Sequence, residues 1–312
     1  MSSWPGQELW RGGVNTWDCD EMGHMNVRFY AARAVEGLAS LAACIGMERA
    51  FSSDATSTLL PREMHIRFMK EALAGDPLHM VGGVVSIGET DMQVLQLLIH
   101  TRTNLVSAVI QSRISHVTAR EGLAFEWSAR TLTSAQALKI EVPEGLGPRS
   151  LALGGLSSSG SIGRANELDL LRIGMGAFLP QDCDVFGRMR PEVILGRISD
   201  GVASLIAPAR DVISRSAPSH PQRVGGAVLE NRLVFLDWPR SGDRFEVRSG
   251  LIGHDSKTMR IAHWFLDPAS GQPWASSEAV AITFDLDARK IVPISQEATA
   301  LLHQMEVAGL AV

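Results

Sequence analysis

The run Asp18–Ala42, DCDEMGHMNVRFYAARAVEGLASLA, returns at Asp182–Ile206 as DCDVFGRMRPEVILGRISDGVASLI. The overlay needs no gap and gives 10 identities in 25 positions, among them Asp18/Asp182, Cys19/Cys183, Asp20/Asp184, Gly23/Gly187 and Gly37/Gly201. Chance would supply about one or two, so the chain reads as one module written twice. The repeat continues downstream. HIRFMKEALAGDPLHMVGGVVSIGETDM from His65 runs beside RLVFLDWPRSGDRFEVRSGLIGHDSKTM from Arg232, with Phe68/Phe235, Gly75/Gly242, Asp76/Asp243, Gly83/Gly250 and Met92/Met259 in constant register.

Each copy keeps one order of elements. The Asp-Cys-Asp turn leads into a helix of about five turns, judged from its alanine, leucine and arginine content. Strand-like runs follow: EMHIRFM, PLHMVGGVVSIG, MQVLQLLIHTR and LVSAVIQSRISHV in the first copy, and NRLVFLD, RFEVRSGLIGH, MRIAHWFLD and SEAVAITFDL in the second. One helix followed by consecutive strands predicts the α+β class with an antiparallel sheet. Ala31, Ala32, Ala34, Ala39, Ala42 and Ala43 are small enough to let a sheet approach and curl around that helix, although an ordinary α+β sandwich satisfies the same propensities. Gly and Ser crowd LGGLSSSGSIGRAN, Leu153–Asn166, which supplies chain freedom and no core. The expected organisation is a first module over residues 1–140, a Gly/Ser-rich linker over 141–166, and a second module over 167–312 that ends in a helix starting near Ser295.

Composition excludes several function classes. The 312 residues are 45% hydrophobic and 20% charged, as in soluble globular proteins. With 29 Lys and Arg against 34 Asp and Glu, the net charge is −5, and no basic block exists to hold a phosphate backbone, so no nucleic-acid partner is expected. Three cysteines make no disulfide framework and suggest a reducing compartment. MSSWPGQELWRGG lacks the basic and apolar regions of a secretion signal, and no apolar run approaches the length of about 20 residues that spans a bilayer. A cytoplasmic protein without a membrane partner is the expectation, either a monomer of two fused modules or a homo-oligomer.

WDCDEMGHMNVRFYAARAVEG resembles the first turn and central helix of hotdog-fold thioesterases of the 4-hydroxybenzoyl-CoA thioesterase type, where a strand ends in Asp-x-Asp-x-x-Gly before a long helix. GDPLHMVGGVVSIG is similar to that superfamily's Gly-Asp-x-Leu opening of its long strands. DCDEMGHMNVRFY also resembles the plant acyl-carrier-protein thioesterase pattern Asp-x-Asn-x-His-x-Asn-Asn-x-x-Tyr. Asp20, His24, Asn26 and Tyr30 match it, and Met22 stands where that family has a catalytic Asn. The resemblance implies a tandem (double) hotdog, each module a long central helix wrapped by a curved antiparallel sheet. It implies hydrolysis of an acyl thioester, carried by coenzyme A or a carrier protein. Asp20 would act as nucleophile or general base, His24 would orient or relay a proton, and Asn26 would complete the catalytic set. No tightly held cofactor is implied, because coenzyme A enters only as part of the substrate.

The chemistry suits these residue types. Thioester hydrolysis needs a polarised carbonyl oxygen and a carboxylate that attacks or activates water. A helix N-terminus offers unpaired amides and the positive end of a dipole to a developing oxyanion. Gly23 admits close approach to the backbone, and the N–H groups of Met25 to Val27 are the expected donors. Competing readings remain for single residues. Asp and Asn are favoured N-caps worth about 1 kcal/mol, so capping competes for Asp20 and Asn26. Asp18 is expected to close an Asx-turn, Tyr30 to pack in the core with its hydroxyl bonded, and Glu36 to pair with an arginine. Cys19 is not expected to be a nucleophile, because flanking acids raise a thiol pKa. Asp18, Asp20 and His24 lack further ligands at short spacing, so no metal site is expected. Glu71 is left unassigned, its count to the following Asp being off by one from an acidic residue of the plant enzymes. Arg62, Arg67, Lys70 and Arg113 are all candidates for the phosphates of coenzyme A.

The second copy differs at the reactive positions. Asp184 and Gly187 persist, but Arg188, Arg190 and Pro191 replace the counterparts of His24, Asn26 and Val27. Proline removes a backbone N–H yet suits a first helical turn. The first copy is therefore expected to be reactive and the second a structural partner. Asp184 and Arg188 are its remaining site candidates, with Arg188 and Arg190 either binding an anion or pairing with Asp182 and Asp184. Two rivals stand beside the hydrolase. One is a non-catalytic acyl-CoA binding or sensing protein, since a fold can outlive its chemistry. The other is a hydratase or dehydratase of acyl-CoA, whose Gly-Asp-x-Asn-Pro-x-His signature this chain lacks.

Overall fold

A computed structural model describes residues 4–156, 158–217, 219 and 221–312. Met1–Ser3 of the N-terminal run and Ser157 of the Gly/Ser segment lie outside the described residues. The chain divides into two compact units: Met1–Arg149 with Pro180–Val193, and Ser150–Leu179 with Ile194–Val312.

In the first unit, strands β1 (Gln7–Gly13), β2 (Ser57–Phe68), β3 (Pro77–Ile87), β4 (Asp91–His100) and β5 (Val106–Thr118) form an antiparallel array in the order β1-β3-β4-β5-β2. Helix α1 (Val27–Cys44) has 18 residues and buries Tyr30, Ala31, Ala34, Gly37, Leu38, Leu41 and Ala42, a stripe at helical spacing. Alanines permit the approach of the sheet, but a glycine sets its limit. A Cβ on Gly37 would stand 2.5 Å from Met80 Sδ and 2.7 Å from Gln96 Nε2. Gln96 Nε2 uses this closeness to donate to the Ala34 carbonyl at 2.8 Å. The helix stops at a left-handed Gly46 (φ 83°), with Gly46 N donating to Ala43 O and Met47 N to Ala42 O, a Schellman ending. Helix α2 (Ala129–Ala137) is capped by Ser128, whose side chain accepts from Thr131 N.

The second unit repeats the plan. It contains α3 (Ile162–Glu167), β6 (Leu171–Ala177), α4 (Glu192–Gly201), α5 (Ala203–Ser216), β7 (Val224–Phe235), β8 (Arg244–His254), β9 (Thr258–Leu266), β10 (Pro273–Asp285), β11 (Lys290–Ile291) and α6 (Gln296–Met305); the first two residues of α4 belong to the first unit. Its strand order is β7-β10-β9-β8-β6, the same path by homologous strands, with β11 on β10. The single long helix expected here is instead broken at Val202 into α4 and α5. Gly201, the counterpart of Gly37, is pressed so close to β6 that an added Cβ would fall 2.0 Å from Ile173 O. Ser204 Oγ takes the Gly201 carbonyl at 2.7 Å, and Pro208 offers no N–H to the preceding turn. The Ser204 hydroxyl competes with the backbone for the Gly201 carbonyl at this break, whereas α5 continues through Pro208.

The stretch 141–166 carries more structure than its composition suggests. Val142 and Leu146 pack on the Leu95, Leu97 and Val109 cluster of the first unit. Arg67 Nη1 donates to the carbonyls of Gly145 and Gly147 at 2.7 and 2.9 Å. In the second unit, Glu230 Oε2 accepts from the amides of Ser150 and Leu151 at 2.7 and 2.9 Å, and Ala165 of α3 lies buried beside Trp264. The helix expected near the C-terminus is α6, capped by Ser295 and packed through Ala298 and Leu302. Among the described residues no helix is long and apolar enough to cross a membrane.

Candidate active site

The turn before α1 is built from local hydrogen bonds and anchored by two distant segments. Val14 N donates to Asp76 O and Gly75 N to Val14 O, which ties the end of β1 to the Gly75–Asp76 turn. Asp20 N donates to His24 O at 2.8 Å and Gly23 N to Asp20 O at 3.0 Å, closing a tight loop. Gly23 (φ 78°) holds the left-handed conformation this loop needs, and nothing lies within 4 Å of where its Cβ would be. The Asp20 carboxylate folds back into the loop. Its Oδ1 accepts from Met22 N at 2.9 Å and His24 N at 3.1 Å, while among the described residues Oδ2 has no partner. One oxygen thus fixes the side chain, and among the described residues the other is unengaged.

The expected oxyanion donors need correction. Met25 is buried, and its amide donates to Ala72 O at 2.8 Å. The Asn26 amide donates to Asp18 O at 2.8 Å, and that of Gly23 is already used within the loop. Asn26 Oδ1 accepts from Arg28 N at 3.0 Å, so this side chain is the N-cap of α1. Val27 is the first helical residue, and among the described residues its N–H has no acceptor. The positive end of α1 is therefore focused on a single amide.

His24 turns toward a residue that sequence reasoning left unassigned. Its Nε2 lies 3.2 Å from Glu71 Oε2, with both side chains partly buried. Glu71 is carried there by backbone. His24 forms a bridge with Leu73, Met69 and Lys70 amides donate to Ser107 O, and Ser107 Oγ donates to Lys70 O. The one available signal was the acid in RFMKEALAGD, and its offset concealed it. Tyr30 is buried edge-on against Phe68, and its hydroxyl bonds with Ser107 and the Ala72 backbone. Burial, first of all, raises its pKa.

The flanking residues are structural. Asp18 is buried and does not close the expected Asx-turn: its Oδ2 reaches back to accept from Asn15 N at 3.0 Å, with Arg33 at 3.4 Å. Burial, then the charges of Asp20 and Asp18, raise the Cys19 thiol pKa. Glu36 binds Arg33 at 2.6 Å, as its helical spacing suggests. Of the four cations proposed for coenzyme A phosphates, Arg113 is bound to Asp91 and Arg67 to backbone carbonyls.

The second turn reproduces the first bond for bond and then departs from it. Asp184 N donates to Arg188 O, Gly187 N to Asp184 O and Arg190 N to Asp182 O. Asp184 Oδ1 accepts from Phe186 N and Arg188 N at 2.8 and 2.9 Å. Here the other oxygen is occupied, since Arg188 Nε reaches Asp184 Oδ2 at 3.4 Å from a nearly buried side chain. Arg190 donates to Gln181 O and pairs with Glu192 at 3.3 Å. Pro191 stands where Val27 offers its N–H.

The family model described as Thioesterase-like superfamily matches residues 14–146 and again 178–302. Betainyl-CoA thioesterase of Pseudomonas aeruginosa is 33% identical over 128 residues, covering 41% of this chain and 78% of that protein. Among solved structures, a 12:0-ACP thioesterase from Umbellularia californica gives a TM-score of 0.62 at 10% identity, covering 88% of this chain and 93% of that one. An acyl-ACP thioesterase from Bacteroides thetaiotaomicron gives 0.62 at 8% identity, covering 87% and 96%. At such identities the structural likeness concerns the fold, which is the hotdog type of these proteins.

Proposed function

Because the chain belongs to the thioesterase-like superfamily, we propose that it hydrolyses acyl thioesters at one site centred on Asp20, in the first of two tandem hotdog modules. A thioester of coenzyme A is the preferred substrate class, given the substrate in the name of the Pseudomonas relative. One observation carries the assignment of the site: among the described residues Asp20 has a fixed Oδ1 and an unengaged Oδ2, whereas Arg188 occupies the same oxygen of Asp184.

The Val27 N–H and the α1 dipole receive the negative charge that grows on the carbonyl oxygen. Asp20 Oδ2 acts on the carbonyl carbon, directly or through a water. In the direct route a C–O bond forms, the C–S electron pair leaves with the thiolate, and water then hydrolyses the mixed anhydride. In the other route Asp20 takes the proton of the attacking water. The Glu71 carboxylate holds the His24 imidazole beside this centre, where it orients water or returns a proton. Asn26 supports the site by capping the N-terminus of α1, so that Val27 is its first residue. The second module supplies scaffold, its carboxylate neutralised and its donor replaced by proline.

The test is thiol release from a panel of acyl-CoA thioesters by the native protein, Asp20→Asn and Asp184→Asn. Loss of turnover in the first variant alone is expected. Equal losses would remove the assignment of a single site, and tight acyl-CoA binding without thiol release would make the protein a sensor.

A further inference from the structure

Far along the chain from Asp20, a second cluster of ligand-type side chains assembles within the second unit. His254 ends β8, and His303 and Glu306 stand one turn apart where α6 ends. His254 Nδ1 is 2.7 Å from Glu306 Oε1, and His303 Nδ1 is 3.4 Å from Glu306 Oε2. The two rings meet edge-on with centroids 4.7 Å apart, and the three ligand atoms all lie within 4.8 Å of one another. Backbone contacts set this geometry independently. Glu306 bridges to Leu251, Val307 N donates to Leu251 O at 2.9 Å, and Leu302 is buried with Leu251, Met259 and Ile261.

We propose that His254, His303 and Glu306 form a binding site for a divalent transition metal of the zinc class, which clamps α6 to β8. Bonds of about 2.0–2.2 Å in tetrahedral geometry place neighbouring donor atoms roughly 3.3 Å apart, a spacing that three donors already within 4.8 Å of one another reach by small side-chain rotations. Two imidazoles and one carboxylate suit zinc, whereas magnesium and calcium take oxygen ligands. The nearby Asp255 is not a fourth ligand, because its Oδ1 accepts from Lys257 N and Thr258 N and its Oδ2 from Thr258 Oγ1. The fourth position opens to solvent beside His303, whose side chain is 65% exposed, while His254 is only 5% exposed. No ligand spacing in the sequence announces the site, since His254 is supplied by a strand remote from α6.

The experiment uses the full chain without a polyhistidine tag, titrated calorimetrically with zinc chloride and followed by visible absorption with cobalt chloride. One ion per chain, tetrahedral cobalt bands and a zinc-dependent rise in melting temperature are expected. His303→Ala, an exposed position, should melt normally without metal yet bind zinc about tenfold or more weakly, and Glu306→Gln should lose the cobalt bands. No saturable zinc binding, affinity unchanged in His303→Ala, or equal binding of magnesium would overturn the proposal.

Discussion

Val27→Pro imposes on the first module the residue that the second already carries at Pro191. The preceding Asn26 has φ −62° and ψ 143°, the extended region that a residue before proline prefers. Val27 is the first residue of α1, and its N–H bonds to nothing among the described residues, so the helix loses no hydrogen bond. The fold should therefore change by no more than about 1 kcal/mol, mainly from the altered half-buried side chain. Catalysis should suffer far more. Removing one preorganised oxyanion donor costs about 10²–10³ in kcat, or roughly 2.7–4 kcal/mol of transition-state stabilisation. KM should change little, because the bond strengthens only as charge develops. Thiol release at saturating acyl-CoA, with urea denaturation of the same preparation, measures both quantities. Val27→Ala keeps the N–H and should retain most of the native kcat. A folded Val27→Pro enzyme with native kcat would refute the placing of the oxyanion at this amide.

Glu71→Gln should lower kcat by about tenfold to a hundredfold with KM nearly unchanged, because the partner that holds His24 is weakened; unaltered kcat would make the pair structural. Single turnover in ¹⁸O-water should place label in the Asp20 side chain if the carboxylate attacks directly and water then adds at the Asp20 carbon of the anhydride, whereas label in the acid product alone is expected if Asp20 activates water or if water adds at the acyl carbon. Gly37→Ala should destabilise the fold by about 1–3 kcal/mol, since its Cβ meets Met80 and Gln96, even though alanine is the better helix former; a stabilised variant in urea denaturation would contradict this packing. His263 is fully buried against Ser249, and burial lowers its pKa to about 3. The unfolded chain takes up a proton below about pH 6.5 that the folded chain refuses, so stability should fall as pH drops from there toward 3, by at most about 1.4 kcal/mol per pH unit from this residue. His263→Gln should flatten that slope, and an identical slope would place the acid sensitivity elsewhere.

What was legible in the sequence was local. Left-handed glycines, an Asp beside its own turn and an N-capping Asn act within a few residues, so Asp18–Tyr30 and its copy at Asp182 could be read directly, together with the order of helix and strands. The loss of a donor at Pro191 was likewise visible, because proline's missing N–H needs no partner to be noticed. The occupancy of each hydrogen-bonding group was not. Met25 looks as available as Val27 until the segment between β2 and β3 brings Ala72 to take its amide. Glu71 acquires its meaning only when Ser107 pins the chain so that the acid meets His24. The break at Val202 required Gly201 to be pressed against β6, and the His254–His303–Glu306 cluster required α6 to dock on β8. Side-chain types and short spacings are written along the chain, whereas satisfaction of a donor or the meeting of two remote ligands depends on three-dimensional packing, which brings together groups with no regular separation in sequence.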